Sequence, residues 1–244
     1  TPRSLLLTRV LKLWPRGLNR GNSIYTTHMN IWEPWDLETG PLPEAHLSSM
    51  MPEFEPHGGI KDPEKQAAFL AKKKEAWMDD AALHGYSCRI LSHKLGNEAF
   101  DGENEEDLLN HAARALDDAL GHGTFIVGWN ISDFDVPVFT QRCWANGVKP
   151  PRFMDGRYQN RQLIDLAKVW NAGSRSPITS LNTAAMCLGC RKKNGSGADF
   201  HKLYLSGDPE KRARAIAYRD NDIEMIREVA VRMNIQLLID NHTY

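Results

Sequence analysis

Apolar and polar positions along the chain follow two different periods, one typical of helices and one typical of strands. Apolar side chains recur at helical spacing at Leu108, Ala112, Leu116 and Leu120, and Gly121 ends that stripe. Short apolar runs between the helical stretches are typical of buried strands. The predicted strands cover residues 30–38, 86–95 and 124–129, and the predicted helices cover residues 62–83, 104–121, 137–145, 180–188 and 208–233. This alternation predicts one α/β domain.

Two parts of the pattern depart from simple alternation. A proline-rich and helical segment at residues 41–85 follows the first predicted strand, and we interpret it as an insertion. Its helix begins with Asp62 and Pro63, a capping residue followed by a proline in the first helical position, and Asp208 and Pro209 start the last long helix in the same way. Residues 162–169 are apolar but fit a strand and a helix equally well.

The composition is that of an ordinary globular domain. Hydrophobic residues make up 41% and charged residues 25% of the 244 positions. No apolar run approaches the roughly 20 residues that a membrane-spanning helix needs. The net charge of −1 does not by itself indicate a nucleic-acid partner.

Residues 1–28 form a basic leader that contains five lysines and arginines and no acidic residue. Its amphipathic run LLLTRVLKLW fits an organelle transit peptide. The first methionine is Met29, just before the first predicted strand, so the leader also fits an upstream translated segment, a fragment or a leader added for expression. We favour this second group of interpretations and place the predicted domain at residues 29–244.

The cysteines predict a reducing compartment. Cys88, Cys143, Cys187 and Cys190 are too few and too scattered for a disulfide framework, so a cytoplasmic or other intracellular location is expected. Cys187 and Cys190 form a lone CxxC, and a structural zinc site needs four ligands. With no second pair at a suitable spacing, and only His201 nearby, we favour free cysteines in a helix over a metal site.

The first predicted strand carries the run WDLETG. Residues two apart on a strand point to the same face, so Asp36 and Glu38 project together while Leu37 faces the opposite layer. Two carboxylates on one face repel each other unless a cation lies between them. A solvated pair of acids is the alternative for this run taken alone.

The last long helix carries the run AYRDNDIEMI. Tyr218 and Asp222 are four residues apart and share a face, whereas Asp220 lies nearly opposite Tyr218. Ile226 and Val229 continue the face that Tyr218 and Asp222 begin. A tyrosine and an aspartate therefore head a stripe that becomes apolar as it enters the core.

A third acidic run, GWNISDFDVPVF, follows the strand predicted at residues 124–129. It places Asp133 and Asp135 around Phe134, at the carboxyl end of a buried strand, where α/β folds place much of their chemistry.

Together, WDLETG, GWNISDFDVP and YRDND resemble the three motifs of the DEDD superfamily of 3′–5′ exonucleases, in the order of that superfamily. The Tyr-x-x-x-Asp form resembles the tyrosine subclass, because the histidine subclass has its histidine at the position of Ala217. The second motif is most similar to the exonuclease domains of family-B DNA polymerases and their free-standing relatives. The resemblance covers residues 30–235 and implies a ribonuclease H-like fold, with a mixed five-stranded sheet flanked by helices.

The resemblance also implies a site and a reaction. Asp36, Glu38, Asp135 and Asp222 would hold two Mg²⁺ or Mn²⁺ ions, and Tyr218 would orient the attacking water. Ligands that are all oxygens suit these ions and would not select zinc. The implied reaction is hydrolysis of the 3′-terminal phosphodiester of single-stranded DNA, which releases nucleoside 5′-monophosphates.

Further residues are implied near the substrate. They flank the carboxylates or belong to the basic loop RKKNGSG, and they are Leu37, Thr39, Asn130, Phe134, Lys192 and Lys193. Asn130 matches the asparagine of the motif and is expected beside the scissile nucleotide. Trp129 and Phe134 fit base stacking or core packing, and the basic loop fits a phosphate grip or a solvated surface. Asp133 occupies a variable position and is expected at the surface or as a helix cap.

One departure and two alternatives remain. Pro34 precedes Asp36, and a proline disfavours a central strand, so the first strand is expected to start late or to be irregular there. The alternatives are an exoribonuclease, because related tyrosine-type enzymes trim RNA, and a non-catalytic nucleic-acid-binding module on the same fold. Retention of all four carboxylates and Tyr218 speaks against the binding module.

Overall fold

The structure is a computed structural model, and it describes residues 31–56, 58–155, 158–174 and 177–241. The basic leader predicted at residues 1–28 lies outside the described residues. Within them, no helix is long and apolar enough to cross a membrane.

Strands and helices alternate along most of the described chain. The strands are β1 (Trp32–Pro41), β2 (Cys88–Leu95), β3 (Glu98–Asp101), β4 (Phe125–Gly128), β5 (Met154–Asp155), β6 (Tyr158–Gln159) and β7 (Leu163–Asp165). The helices are α1 (Glu44–Leu47), α2 (Pro63–Ala81), α3 (Glu105–Gly121), α4 (Asp135–Ala145), α5 (Leu166–Trp170), α6 (Leu181–Cys187), α7 (Gly197–Tyr204), α8 (Pro209–Arg232) and α9 (Ile235–Asn241).

Five of the strands form one mixed sheet in the order β3-β2-β1-β4-β7. β1 lies at its centre, antiparallel to β2 and parallel to β4, and β4 is parallel to β7. β5 and β6 form a separate two-stranded hairpin. The predicted mixed five-stranded sheet flanked by helices is therefore confirmed.

The expected irregularity at Pro34 is wrong, because β1 runs from Trp32 to Pro41 through the proline. Pro34 is the last residue of β1 in register with β4, and pairing with β2 begins at Trp35. The carbonyl of Pro34 still accepts a bond from the Gly96 N–H at 2.8 Å. The residue without an N–H therefore lies at the change from one ladder to the other, where its missing donor costs least.

Helices cover both faces of the sheet. On one face, Trp35 and Ile126 belong to a core that also includes residues of α3 and α4. On the other face, Phe125 and Val127 pack in a core that includes residues of α8 and α9. The alternation of Phe125, Ile126 and Val127 between the two cores is the period expected of a strand buried on both sides.

The predicted starts of four helices agree with the structure, and the segment that the sequence left ambiguous contains both kinds of element. Asp62 and Asp208 each accept bonds from the first turn of the helix that they were predicted to cap. Asn104 and Ser180, the first residues of two other predicted helices, do the same. Residues 162–169 contain both a strand and a helix, because β7 ends at the residue that caps α5. The sequence did not predict β3, the β5–β6 hairpin, α7 or α9.

The insertion at residues 41–85 packs along β1 and α7. The Thr39 hydroxyl donates to the Ala82 carbonyl at 2.7 Å, and Lys202 of α7 bridges Glu75 and Asp79 of α2, at 3.0 Å from each. Gly40 is required here, since a Cβ on it would come within 2.8 Å of the His201 Cβ. The glycine of the WDLETG run therefore allows α7 to approach the strand that carries the acidic pair.

His93 on β2 is a fully buried histidine with both ring nitrogens unpartnered among the described residues. Its ring lies 5.8 Å from that of His111, which in turn stacks on Phe100. Burial, and then the nearby His111 and Arg219, lower the pKa of His93 from 6.5 to about 4. The native protein therefore holds His93 neutral at a pH where the unfolded chain binds a proton.

This burial predicts an acid-dependent loss of stability. The stabilisation is fully present above about pH 6.5 and is lost as pH falls towards 4, by about 3 kcal/mol in total. His93→Leu should remove that dependence while changing the free energy of unfolding little at pH 7.5, since no hydrogen bond is lost. Urea unfolding of both proteins from pH 7.5 to 4 measures the difference. His46→Leu, at an exposed histidine, is the control, and an identical pH dependence in wild type and His93→Leu would refute the prediction.

Candidate metal centre

Three carboxylates meet on the α8 side of β1. Oxygen atoms of Asp36, Glu38 and Asp222 all lie within 4.8 Å of one another. Asp36 and Glu38 are brought to one face by the alternation of the strand, as their spacing predicted. Asp222 reaches them from α8, across 186 residues of chain. Among the described residues this is the one acidic, histidine or cysteine group close enough to hold a metal ion.

Asp135 lies beside this cluster without entering its tightest group. It is the first residue of α4 and only 2% exposed, and its Oδ1 accepts the N–H of Leu37 at 3.1 Å. That bond attaches the start of α4 to the residue between Asp36 and Glu38. The charge of Asp135 also raises the pKa of Asp36, second only to burial among the causes.

The four carboxyl groups all have pKa values above their usual range. Burial is the main cause for each, and for Asp36 and Glu38 the neighbouring carboxylates add to it. Burial raises the pKa of Asp135 to about 7, although the Leu37 N–H acts in the opposite direction. The pKa of Asp222 is raised by burial and lowered by Lys193. A cation in the cluster would relieve this repulsion.

Tyr218 and Lys193 complete the immediate surroundings of Asp222. Tyr218 is 5% exposed and lies close enough to the Asp222 carboxylate for the two groups to influence each other's pKa. Burial, then the charges of Asp222 and Glu38, raise the pKa of Tyr218 above that of a free phenol. The ammonium of Lys193 lies 3.2 Å from Asp222 Oδ2 and 5.0 Å from the centre of the Tyr218 ring. It neutralises part of the cluster's charge.

Residues 191–197 form a strap that crosses α8 over Tyr218. Among the described residues, five hydrogen bonds attach it. The Arg191 N–H and Nε–H donate to Glu228, the Lys193 N–H donates to Asn182, Asn221 donates to the Lys192 carbonyl, and Asn194 donates to the Ala217 carbonyl. A Cβ on Gly195 would lie 2.8 Å from the Tyr218 ring. The glycine therefore lets the strap seat on the tyrosine, and the same strap carries Lys193 to Asp222.

A buried ionic network fixes the rotation of α8 about its axis. Arg219, next to Tyr218 and only 3% exposed, donates to Ser92 and Asp101 on the sheet and to Asp220 on its own helix. Lys94 on β2 bonds Asp220 at 2.7 Å. Asp220 thus faces β2, away from the carboxylate cluster, as its helical phase predicted. With α8 held in this rotation, Tyr218 and Asp222 face Asp36 and Glu38.

A cleft of about 310 Å³ opens over the cluster. Its lining combines carboxylates with apolar side chains: Asp36, Asp135 and Asp222 with Trp129, Phe134 and Ile178. Trp129 is tied down because its indole N–H donates to the Thr179 carbonyl at 3.0 Å. Asn130 lines the same cleft, and its buried Oδ1 has no partner among the described residues. A buried acceptor without a partner, in a residue that lines a cleft, could be satisfied by a bound ligand.

The other predicted substrate residues divide between the cleft and its surroundings. Leu37 touches the cleft, although its side chain is largely buried in the core. Thr39 does not line the cleft, because its hydroxyl is bonded to Ala82, and Lys192 is exposed with its carbonyl bonded to Asn221. The assignment of these two residues to the substrate stays a prediction. Asp133 is at the surface, as expected, and its carboxylate lies 3.0 Å from Lys168. It does not cap α4, because Phe134 occupies the N-cap position of that helix.

The CxxC pair stays apart from the acidic cluster. Cys187 is exposed, and Cys190 is partly buried with its pKa raised mainly by burial. Both thiols are free, and neither belongs to a metal-sized group among the described residues.

Sequence patterns missed three residues that shape the site. Asp165 at the end of β7, Arg219 on α8 and Gly195 in the strap each act through contacts with distant parts of the chain. For Asp165 a signal existed, because an acid at the carboxyl end of a parallel strand lies where such folds place their sites. For Arg219 and Gly195 the sequence holds no comparable signal.

The donor set suits hard divalent cations. Every nearby ligand atom is a carboxylate oxygen, and Asp222 Oδ1 is buried without a hydrogen-bond partner among the described residues. An unpaired buried carboxylate oxygen costs free energy that a metal ion would recover. Asp36, Glu38, Asp135 and Asp222 are the residues that could hold such ions.

Comparison with known proteins agrees with this architecture. A family model described as the RNase_H superfamily matches residues 85–234, a range that includes Asp135, Tyr218 and Asp222 and begins after β1. None of the curated protein sequences compared with the chain matches it.

Among solved structures, the chain is similar to the family B DNA polymerase from the hyperthermophilic archaeon Pyrobaculum calidifontis. The TM-score is 0.51 with 16% sequence identity, over 82% of this chain. The match spans 24% of the polymerase chain, so this chain corresponds to about a quarter of that protein. At this identity the likeness shows the fold alone, and the predicted ribonuclease H-like fold is confirmed.

Proposed function

Because the chain belongs to the RNase_H superfamily, we propose that it is a metal-dependent 3′–5′ exonuclease of the tyrosine subclass, acting on single-stranded DNA. The observation that carries the proposal is the meeting of Asp36, Glu38 and Asp222 within 4.8 Å on two distant elements. Nuclease activity fits the fold. The polarity, the DNA substrate and the two-ion mechanism are proposed from the motif resemblance together with this geometry.

Two Mg²⁺ or Mn²⁺ ions held by Asp36, Glu38, Asp135 and Asp222 would supply an activated water and stabilise charge on the leaving oxygen. The protein's own task is to bring the carboxylates together in ionised form. Each has a raised pKa, so protons and cations would compete for the same coupled cluster. Glu38 would also contact the terminal 3′-hydroxyl, a role that the resemblance to the DEDD exonucleases implies.

Tyr218 would orient the attacking water by a hydrogen bond. A phenol whose pKa is raised by burial does not give up its proton at neutral pH, so it cannot serve as the general base. Lys193, which carries the nearest ammonium to Asp222, would position the phosphate once cations occupy the cluster. Lys192 is proposed only for a looser contact with the nucleic-acid backbone.

The cleft supports a single unpaired 3′ end as the substrate. Its volume of about 310 Å³ has the dimensions of a small-molecule pocket, and Trp129 and Phe134 line it together with the carboxylates. Aromatic side chains in that position can stack on bases without selecting their identity. Asn130 would bond the terminal nucleotide through its unpartnered oxygen.

The proposal is tested with oligonucleotides labelled at one end. In Mg²⁺, a 5′-labelled single strand should shorten by successive nucleotides, and a 3′-labelled strand should release labelled nucleoside 5′-monophosphate at once. Matched DNA and RNA strands decide between the proposed deoxyribonuclease and an exoribonuclease. Internal fragments from the start, or no cleavage of either strand, would refute exonuclease activity.

Tyr218→Phe tests the part assigned to the tyrosine. Turnover should fall roughly ten- to a thousand-fold, because a group that orients water is lost. The affinity for Mn²⁺ should stay nearly unchanged, and the acid limb of the pH–rate profile should persist, because the coupled carboxylates set both. Steady-state kinetics from pH 5.5 to 9 and Mn²⁺ titration measure these quantities. The control is Tyr204→Phe, which changes a buried tyrosine bonded to Arg212. Loss of the acid limb in Tyr218→Phe would show that Tyr218 has a different role.

A further inference from the structure

One buried carboxylate, that of Asp165, receives four backbone N–H groups. Its Oδ1 accepts from Asn130 at 3.0 Å, from Ala167 at 3.0 Å and from Lys168 at 3.4 Å, and its Oδ2 accepts from Ser132 at 3.0 Å. Asp165 is 6% exposed and lies at the end of β7, in parallel register with Gly128 at the end of β4. The parallel pairing therefore brings the carboxylate directly beneath the loop that leaves β4.

The loop that Asp165 holds has an unusual backbone. Asn130 has φ of +62°, a left-handed conformation that asparagine tolerates better than most residues. From there the chain turns directly into α4, since the Asn130 carbonyl accepts from Phe134 and the Ile131 carbonyl from Val136. The conformation of Asn130 therefore determines where its side chain lies; the residue lines the cleft, and its Oδ1 is buried without a partner among the described residues.

The bonding pattern requires a carboxylate and not an amide. All four partners are N–H donors, and they use both oxygens of Asp165. In the isosteric asparagine one of the two oxygens becomes an NH₂ group, which would face a donor and leave at least one buried N–H unpaired. A residue needed only to cap the short helix α5 would not need the second oxygen, because Ala167 and Lys168 both bond Oδ1.

We infer that Asp165 is a positioning residue for substrate binding, which acts by fixing the backbone of residues 130–132 and hence the Asn130 amide in the cleft. The inference rests on the proposed nuclease function. Asp165 is not part of the group formed by Asp36, Glu38 and Asp222, although its charge adds to burial in raising the pKa of Asp135. Its effect should therefore fall mainly on the substrate and only weakly on the metal ions.

The test uses Asp165→Asn, Asn130→Ala and the double variant, all at a temperature well below the lowest melting temperature. Each single change should raise KM for single-stranded oligonucleotide roughly tenfold or more, as expected for a lost buried hydrogen bond. The double variant should be no worse than the more damaged single one, because both changes remove the same contact. Mn²⁺ affinity should change less than about threefold in Asn130→Ala, which removes no charge. In Asp165→Asn any change in Mn²⁺ affinity should be smaller than the change in KM, because the lost charge acts on Asp135 alone among the four carboxylates.

Amide hydrogen exchange in the metal-free protein supplies a readout that does not depend on activity. Asp165→Asn should speed exchange at Asn130 and Ser132 relative to β4, and Asp133→Asn, which changes the neighbouring surface aspartate, should leave both exchange and KM unchanged. A wild-type KM in Asp165→Asn, or additive effects in the double variant, would overturn the inference. If wild-type protein cleaves no nucleic acid, the proposed function fails first and this inference falls with it.

Discussion

Replacing Asp36 or Asp222 by alanine is expected to lower metal-dependent hydrolysis by roughly a thousandfold or more while leaving the fold intact. Each change removes an oxygen ligand from the cluster of three carboxylates within 4.8 Å. Each also removes a carboxyl group whose pKa is raised by burial and, for Asp36, by the neighbouring carboxylates. In EDTA at pH 8, where the native carboxylates are forced towards ionisation, the melting temperature of either variant should hold or rise.

The matched control for Asp222→Ala is Glu224→Ala, which removes an acid two residues along the same helix. Among the described residues, Glu224 forms surface ion pairs with Arg191 at 4.0 Å and with Arg227 at 3.5 Å. Its removal should change the rate of hydrolysis less than about twofold, in keeping with the small effect of surface ion pairs. A normal turnover rate in Asp36→Ala or Asp222→Ala would contradict the assignment of these residues to a metal centre that the reaction requires.

The two aspartates of the GWNISDFDVP run should differ sharply when each is replaced by alanine. Asp135→Ala should cost several orders of magnitude in rate, because the side chain is 2% exposed beside the cluster and bonded to the Leu37 N–H. Asp133→Ala should change the rate less than about twofold, because its carboxylate is at the surface with Lys168. Single-turnover digestion of one oligonucleotide by both variants measures the ratio.

Far-ultraviolet circular dichroism and melting curves show whether Asp135→Ala still folds. Asp135→Asn is the second variant, since an amide oxygen can still accept from Leu37 while the charge is lost. Small and equal effects of the Asp133 and Asp135 changes would contradict the assignment of the motif.

Local sequence signals predicted much of this fold because they depend on near neighbours. The caps at Asp62, Asn104, Ser180 and Asp208 are satisfied within one helical turn, so residue type and spacing are enough to place them. The alternation that aligns Asp36 with Glu38 is equally local. Motif order then placed Asp135, Tyr218 and Asp222 together, which composition and periodicity alone could not do.

What the sequence could not predict depends on contacts across the sheet. Pro34 is tolerated in the central strand because the pairing of β1 with β4 ends at Pro34 and the pairing with β2 begins at Trp35. These pairings depend on three strands together, so the sequence of β1 alone does not predict them. Thr39 was expected at the substrate, but its hydroxyl is occupied by Ala82, a residue of the insertion. Asp165 acts on Asn130, 35 residues away, through a parallel pairing whose strand was itself ambiguous.

The number of Mn²⁺ ions bound per chain is the most direct test of the proposed metal centre. Electron paramagnetic resonance titration of wild-type protein, with a nucleoside 5′-monophosphate present as product, should reach two ions, as the two-ion mechanism requires. Asp36→Ala should lose at least one of them, and Asp133→Ala none. Absence of saturable Mn²⁺ binding in the wild type, or unchanged binding in Asp36→Ala, would contradict a metal centre built on Asp36, Glu38, Asp135 and Asp222.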